Sequence, residues 1–139
     1  GVIRWRLHLA SPPQGVWEAL TTDEGRASFW AESAVEKDAA IHFRFPNALA
    51  EKARILAREP GKRFSVDYFG SPTTFLLEPD AHGGTDLTLE ARDVPENDKP
   101  EIAAGWVSVL MALKARVDHK VDLRGHDPDR TWDQGYCEN

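Results

Sequence analysis

Chemistry in this 139-residue chain would have to come from five histidines, one cysteine and a set of acids crowded towards the C-terminus. A nucleophile needs a base within hydrogen-bond reach. Cys137 has no histidine at a diagnostic spacing, and the histidines are scattered. His8 and His42 fall on the polar side of alternating segments, His82 sits in a Gly-rich turn, and His119 and His126 lie at and beyond the end of a helical stretch. No inward pair of carboxylates presents itself for acid–base work. His119, Asp122, His126, Asp127 and Asp129 are close enough in sequence to raise zinc or manganese, but their spacing matches no ligand motif, and a solvated acidic surface explains them as well. There is no Gly-x-Gly-x-x-Gly, no Gly-Lys-Ser/Thr loop and no Gly-x-Ser-x-Gly elbow, and Gly83-Gly84 reads as a turn, so no catalytic residue, metal or cofactor is expected.

The elements that would position any site are clearer. Ile3, Trp5, Leu7 and Leu9 alternate with Arg4, Arg6 and His8, the period of a half-buried strand. Ser11-Pro12-Pro13-Gln14 then has the form of a helix start, with Ser11 as cap. Thr21 to Glu24 repeats that signal before a second short helix through Phe29-Trp30. Six more strands follow, with Asp38-Ala39, Pro46-Asn47, Pro60-Gly61, Gly70-Ser71-Pro72 and His82-Gly83-Gly84 as breaks, which predicts an antiparallel meander. Each strand has one apolar and one charged face, so the sheet is wet on its outside. Ile102, Trp106, Val109, Leu110, Leu113 and Val117 recur at helical period and predict a long amphipathic helix after Asp98-Lys99-Pro100-Glu101. The fold class is therefore α+β, a curved antiparallel sheet of six or seven strands gripping one long helix.

Composition narrows the partners. A net charge of −6 disfavours nucleic acid and anionic membrane, which favour a basic face. No stretch reaches the roughly 18 apolar residues of a membrane span. A single cysteine fits a reducing cytoplasm. From Asp118 onward six acids face three bases, so half of the net charge sits in the last 22 residues. The expected division is a domain over 1–123 and a tail over 124–139. The tail carries Trp132 and Tyr136, bulky rings expected to dock on the mouth of a cavity, the outer sheet face or a second copy of the chain, with Arg124 and Arg130 supplying polar contacts.

The segment Ala10-Ser11-Pro12-Pro13-Gln14-Gly15-Val16-Trp17-Glu18-Ala19-Leu20-Thr21 resembles the opening signature of the START-like (SRPBCC, helix-grip) superfamily, and within it the family named after the activator of a heat-shock-protein ATPase. Phe29-Trp30 fits the same pattern, and Gly105-Trp106-Val107-Ser108-Val109-Leu110-Met111-Ala112-Leu113-Lys114 resembles that family's closing helix. The likeness runs from about Ile3 to Asp122. It implies an apolar cavity between sheet and long helix, used in the superfamily for lipids, sterols, polyketides or plant hormones, with some members acting as cyclases or aromatases. The co-chaperone role in the family name belongs to a few larger eukaryotic proteins.

On that basis the expected function is binding of an apolar or lipid-like small molecule. A cyclase-, aromatase- or hydrolase-like enzyme using the same cavity, and a protein–protein module with a closed core, are the alternatives. The candidate ligand-binding residues are Trp5, Phe43, Phe45, Phe64, Tyr68, Phe75 and Leu89 from the strands, Trp17 and Trp30 from the short helices, and Trp106, Leu110 and Leu113 from the long helix. The same side chains equally well fill a closed core.

Overall fold

The computed structural model of the chain describes residues 1–138. Strand β1 (Ile3–Leu9) is followed by helices α1 (Pro13–Thr21) and α2 (Asp23–Ala27). Six strands come next: β2 (Ser33–Lys37), β3 (Ala40–Arg44), β4 (Ala50–Glu59), β5 (Arg63–Tyr68), β6 (Ser71–Pro79) and β7 (Thr85–Ala91). Helix α3 (Lys99–His119) follows, and a single 3-10 turn lies in the tail at Trp132–Gln134. The seven strands form one curved antiparallel sheet in the order β1-β7-β6-β5-β4-β3-β2. Strands β2 to β7 are a plain meander. The two edges, β1 and β2, are joined by the α1–α2 excursion.

Register puts large side chains opposite one another on the helix-facing side: Phe64 with Phe75, Phe75 with Leu89, and Leu77 with Leu87. These residues and α3's Leu110 and Leu113 are buried in one continuous core. Asp38 and Ala39, both at positive φ (52° and 60°), make the tight β2–β3 turn that the pattern predicts. In β4 the register shifts between Ile55 and Ala57. Leu56 is the extra residue of that bulge and is exposed.

Both helix starts differ from the sequence reading, for one reason: the expected caps are used elsewhere. Pro12 is the N-cap of α1, with no side-chain cap. Ser11 instead turns to the far end of α3, where its hydroxyl donates to Asp118 Oδ1 (2.6 Å). The backbone N–H groups of Ala10 and Ser11 donate to the same carboxylate at 2.9 and 3.0 Å. Burial pushes the Asp118 carboxyl up, but these three hydrogen bonds outweigh it and hold the group below its ordinary range. The cap of α2 is Thr22, which accepts from Gly25 N (2.9 Å), while the Thr21 hydroxyl donates back to Trp17 O. Gly25 is required where α2 crosses α1, because a Cβ there would lie 2.4 Å from Glu18 O. Helix α2 ends at Ala27, so Phe29 and Trp30 occupy the turn after it.

Candidate functional site: a cavity under the first half of α3

Helix α3 covers the sheet unevenly. Beneath its first turns lies a cavity of about 250 Å³. The helix contributes Glu101, Ile102, Gly105, Trp106 and Val109 to the lining. The β5–β6 hairpin contributes Tyr68, Phe69 and Ser71, the loop after β7 contributes Asp93, Val94 and Pro95, and the tail contributes Trp132.

Tyr68 is the hub of the aromatic wall. Its ring lies 5.3 Å from Trp106, 4.7 Å from Phe69, 5.3 Å from Phe43 and 5.4 Å from Trp30, centroid to centroid. Trp30 Nε1 donates to the Tyr68 hydroxyl (3.3 Å), which fixes the ring. Burial pushes the Tyr68 pKa far above that of a free phenol, and the indole hydrogen bond offsets only part of this, so the hydroxyl stays protonated at any working pH.

Of the twelve candidate ligand-binding residues, the structure brings Tyr68 and Trp106 to the cavity wall. Trp30, Phe43, Phe64, Phe75, Leu89, Leu110 and Leu113 lie in the packed core behind and beside it. Phe45 stacks on Phe43 and borders a smaller cleft of about 40 Å³ that it shares with Trp132. Trp17 is partly buried and meets Phe64 edge-on at 6.1 Å, away from the cavity. Trp5 shares the face of Ile3 and Leu9, but β1 is a sheet edge. Its indole lies along the flank of α3, donating to Ala103 O (3.2 Å), and stays 40% exposed. Sequence reasoning missed Phe69, Asp93 and Glu101. A Phe immediately before a turn glycine was a usable signal for the first; nothing local marks the other two.

The tail runs along the open end of the grip. Arg124 is almost wholly buried and donates to Ala31 O (2.8 Å) and Ala27 O (2.7 Å), with Asp122 as its carboxylate partner. His126 stands between Asp122 (Nε2, 2.7 Å) and Glu32 (Nδ1, 2.5 Å). Further on, Asn47 donates to Asp133 (2.9 Å) and Trp132 Nε1 donates to Glu101 Oε1 (3.1 Å). Arg130 pairs with nearby Asp127 and hydrogen-bonds Tyr136, both within the tail. Trp132 is half-buried. Tyr136 is 44% exposed, in a surface groove with Met111 and Leu123, so only one of the two tail rings reaches the cavity. Asn139, the last residue of the expected tail, lies outside the described residues.

The lining includes the carboxylates of Asp93 and Glu101 and no histidine, and the Ser71 hydroxyl donates to Arg92 O (2.6 Å). His8 pairs with Asp86 on the wet face, and both ring nitrogens of His126 face carboxylates. Among the described residues no His, Cys, Asp or Glu side chains converge as a metal site.

A family model described as Activator of Hsp90 ATPase homolog 1-like protein matches residues 10–118. The chain belongs to that family. Solved structures similar to it include a protein from Staphylococcus saprophyticus, 24% identical, with a TM-score of 0.78 over 89% of this chain and 96% of that one. The Aha1 dimer from Colwellia psychrerythraea is 20% identical, with a TM-score of 0.77 over 86% and 97%. DynU16, from the dynemicin biosynthetic locus, is 19% identical, with a TM-score of 0.74 over 87% of this chain and 48% of that one. At these identities the likeness shows a shared fold. No curated protein matches the chain. No helix among the described residues is long and apolar enough to cross a membrane.

Proposed function

We propose that the chain is a binding module for a small, largely apolar molecule, held beneath the first half of α3. The observation that carries this reading is the cavity itself: aromatic and aliphatic walls with a few polar groups at the rim. That is the usual make-up of a ligand pocket. Its volume of about 250 Å³ falls just below the roughly 300–1,000 Å³ of typical ligand sites, so with Trp132 in place a fused-ring or single-ring molecule fits and a sterol or long acyl chain does not. The setting proposed is the cytoplasm, in keeping with a single exposed thiol, Cys137.

A neutral lipophilic dye should bind at micromolar or weaker affinity, shift tryptophan emission and raise the melting temperature with concentration. Gly105→Phe, which projects a ring into the cavity from α3, should abolish that binding while the domain stays folded. Undiminished binding in Gly105→Phe would put the dye elsewhere, and the absence of any spectral or thermal shift across a broad apolar set would mean a closed core.

A second copy of the chain is the proposed macromolecular partner. Val107 and Met111 on the outer face of α3 are exposed beside Leu123 and Tyr136, and the Colwellia relative is a dimer in solution. Sedimentation equilibrium that returns a monomer at high concentration would remove this part.

A further inference from the structure

We infer that the cavity selects a cationic ligand: a quaternary or tertiary ammonium carried on a small apolar body. This rests on reading the cavity as a small-molecule site and adds the chemical class of its occupant. Four rings reach the lining, Tyr68, Phe69, Trp106 and Trp132, and two carboxylates, Asp93 and Glu101, stand at its exposed rim. No lysine, arginine or histidine is among the lining residues. Ring faces attract cations through their quadrupoles, and best where water is displaced. The rim charges add a field of the same preference, and the chain's net charge of −6 extends it outward. An anion would meet both carboxylates and no cationic side chain among the lining residues.

The carboxylates are available for this. Asp93 has no hydrogen-bond or ion-pair partner among the described residues, and Glu101 uses Oε1 to accept from the Trp132 indole, which ties an acid and a ring into one rim. Phe69 gives an independent sign. It occupies the first position of the two-residue β5–β6 turn, with φ 50°, followed by Gly70 at φ 77°. Such turns favour Asn, Asp or Gly at that position, and a bulky residue there is strained. The ring is 50% exposed and packs on Tyr68 and Phe45 with its other half, so it stands at the rim rather than in the core. Strain held where burial is only partial points to a role for the ring itself. Asp93, φ 56°, is a second left-handed residue on the same rim.

The test uses the whole chain and three probes of one shape family: benzyltrimethylammonium, its neutral carbon isostere neopentylbenzene, and the anion 3-phenylpropionate. In fluorescence titrations the cation should bind roughly tenfold tighter than the isostere, weaken with added salt, and leave the anion unbound. Asp93→Asn with Glu101→Gln, which keeps an acceptor for Trp132, should bring the cation's affinity down to that of the isostere. Phe69→Asn should weaken the cation several-fold while the melting temperature holds or rises, since the turn relaxes. An isostere that binds as tightly as the cation overturns the ammonium assignment and leaves the small-molecule reading standing. If neither probe binds, both fall. Retained cation binding in Phe69→Asn with a lowered melting temperature would show that the ring serves the fold.

Discussion

The first half of α3 stands over a cavity and the second half over a filled core, although the same apolar stripe runs along both. At the filled end Leu110 and Leu113 are buried, α1 packs alongside, and the Asp118 carboxylate fastens the helix to the backbone of Ala10 and Ser11. At the open end Ile102 is only partly buried, Gly105 has no side chain, and the gap is bounded by a hairpin turn, a short loop and the tail rather than by a helix. Helical period marks which face of α3 is inward. Whether that face meets side chains or space depends on what the rest of the chain brings to each end.

Truncations should separate the two ends most sharply. Leu113→Ala removes a fully buried side chain among packed neighbours and should cost about 2–5 kcal/mol in denaturant unfolding. Ile102→Ala enlarges a space that already exists and encloses no new void, so about 1 kcal/mol or less is expected. Equal losses at the two positions would mean that the cavity closes in solution.

The clamp at the filled end comes next. Asp118→Ala should cost about 2–3 kcal/mol, because two backbone N–H groups and the Ser11 hydroxyl lose a charged acceptor. Asp118→Asn, which keeps an acceptor, should recover part of that. Because the folded-state pKa of Asp118 lies below its unfolded value, this stability is present above the unfolded pKa and is lost as pH falls through the folded one. Unfolding curves of wild type and Asp118→Ala should therefore differ near neutral pH and converge in acid.

The same contrast shows how much could be read from the sequence. The alternation Ile3, Trp5, Leu7, Leu9 and the stripe Trp106, Val109, Leu110, Leu113 are local patterns, and with the turn residues they were enough for the element order and the grip. The α1 cap was misplaced by one residue because Ser11's partner, Asp118, lies 107 residues away and competes with the local cap. Within the site, period two and period 3.6 identify a face, and a face holds core and lining residues alike. Tyr68 and Trp106 reach the cavity and Phe64 and Phe75 lie in the packed core, a difference that periodicity does not encode. Asp93 and Glu101 sit on the polar rim, where no periodicity operates.

The smallest effect belongs to the tail's attachment at the open end, which Arg124 and His126 secure. His126 lies between Asp122 and Glu32, and the hydrogen bonds to these two carboxylates, Asp122 foremost, raise its pKa above the ordinary imidazole value. A group whose folded pKa is raised contributes its full stability below the unfolded pKa, about 6.5, and loses it as pH rises through the folded one. The ring is two-fifths exposed, so solvent screens the pair and the effect is modest. His126→Gln should melt about 1–3 °C below wild type at about pH 6, with the gap narrowing towards about pH 9. Where Trp132 walls the cavity, neutral-probe affinity in wild type should fall over the same interval as the tail loosens, and in His126→Gln it should be flat. The absence of a gap at any pH would mean that the two carboxylates gain nothing from the imidazole, and that Arg124 alone keeps the tail across the open end.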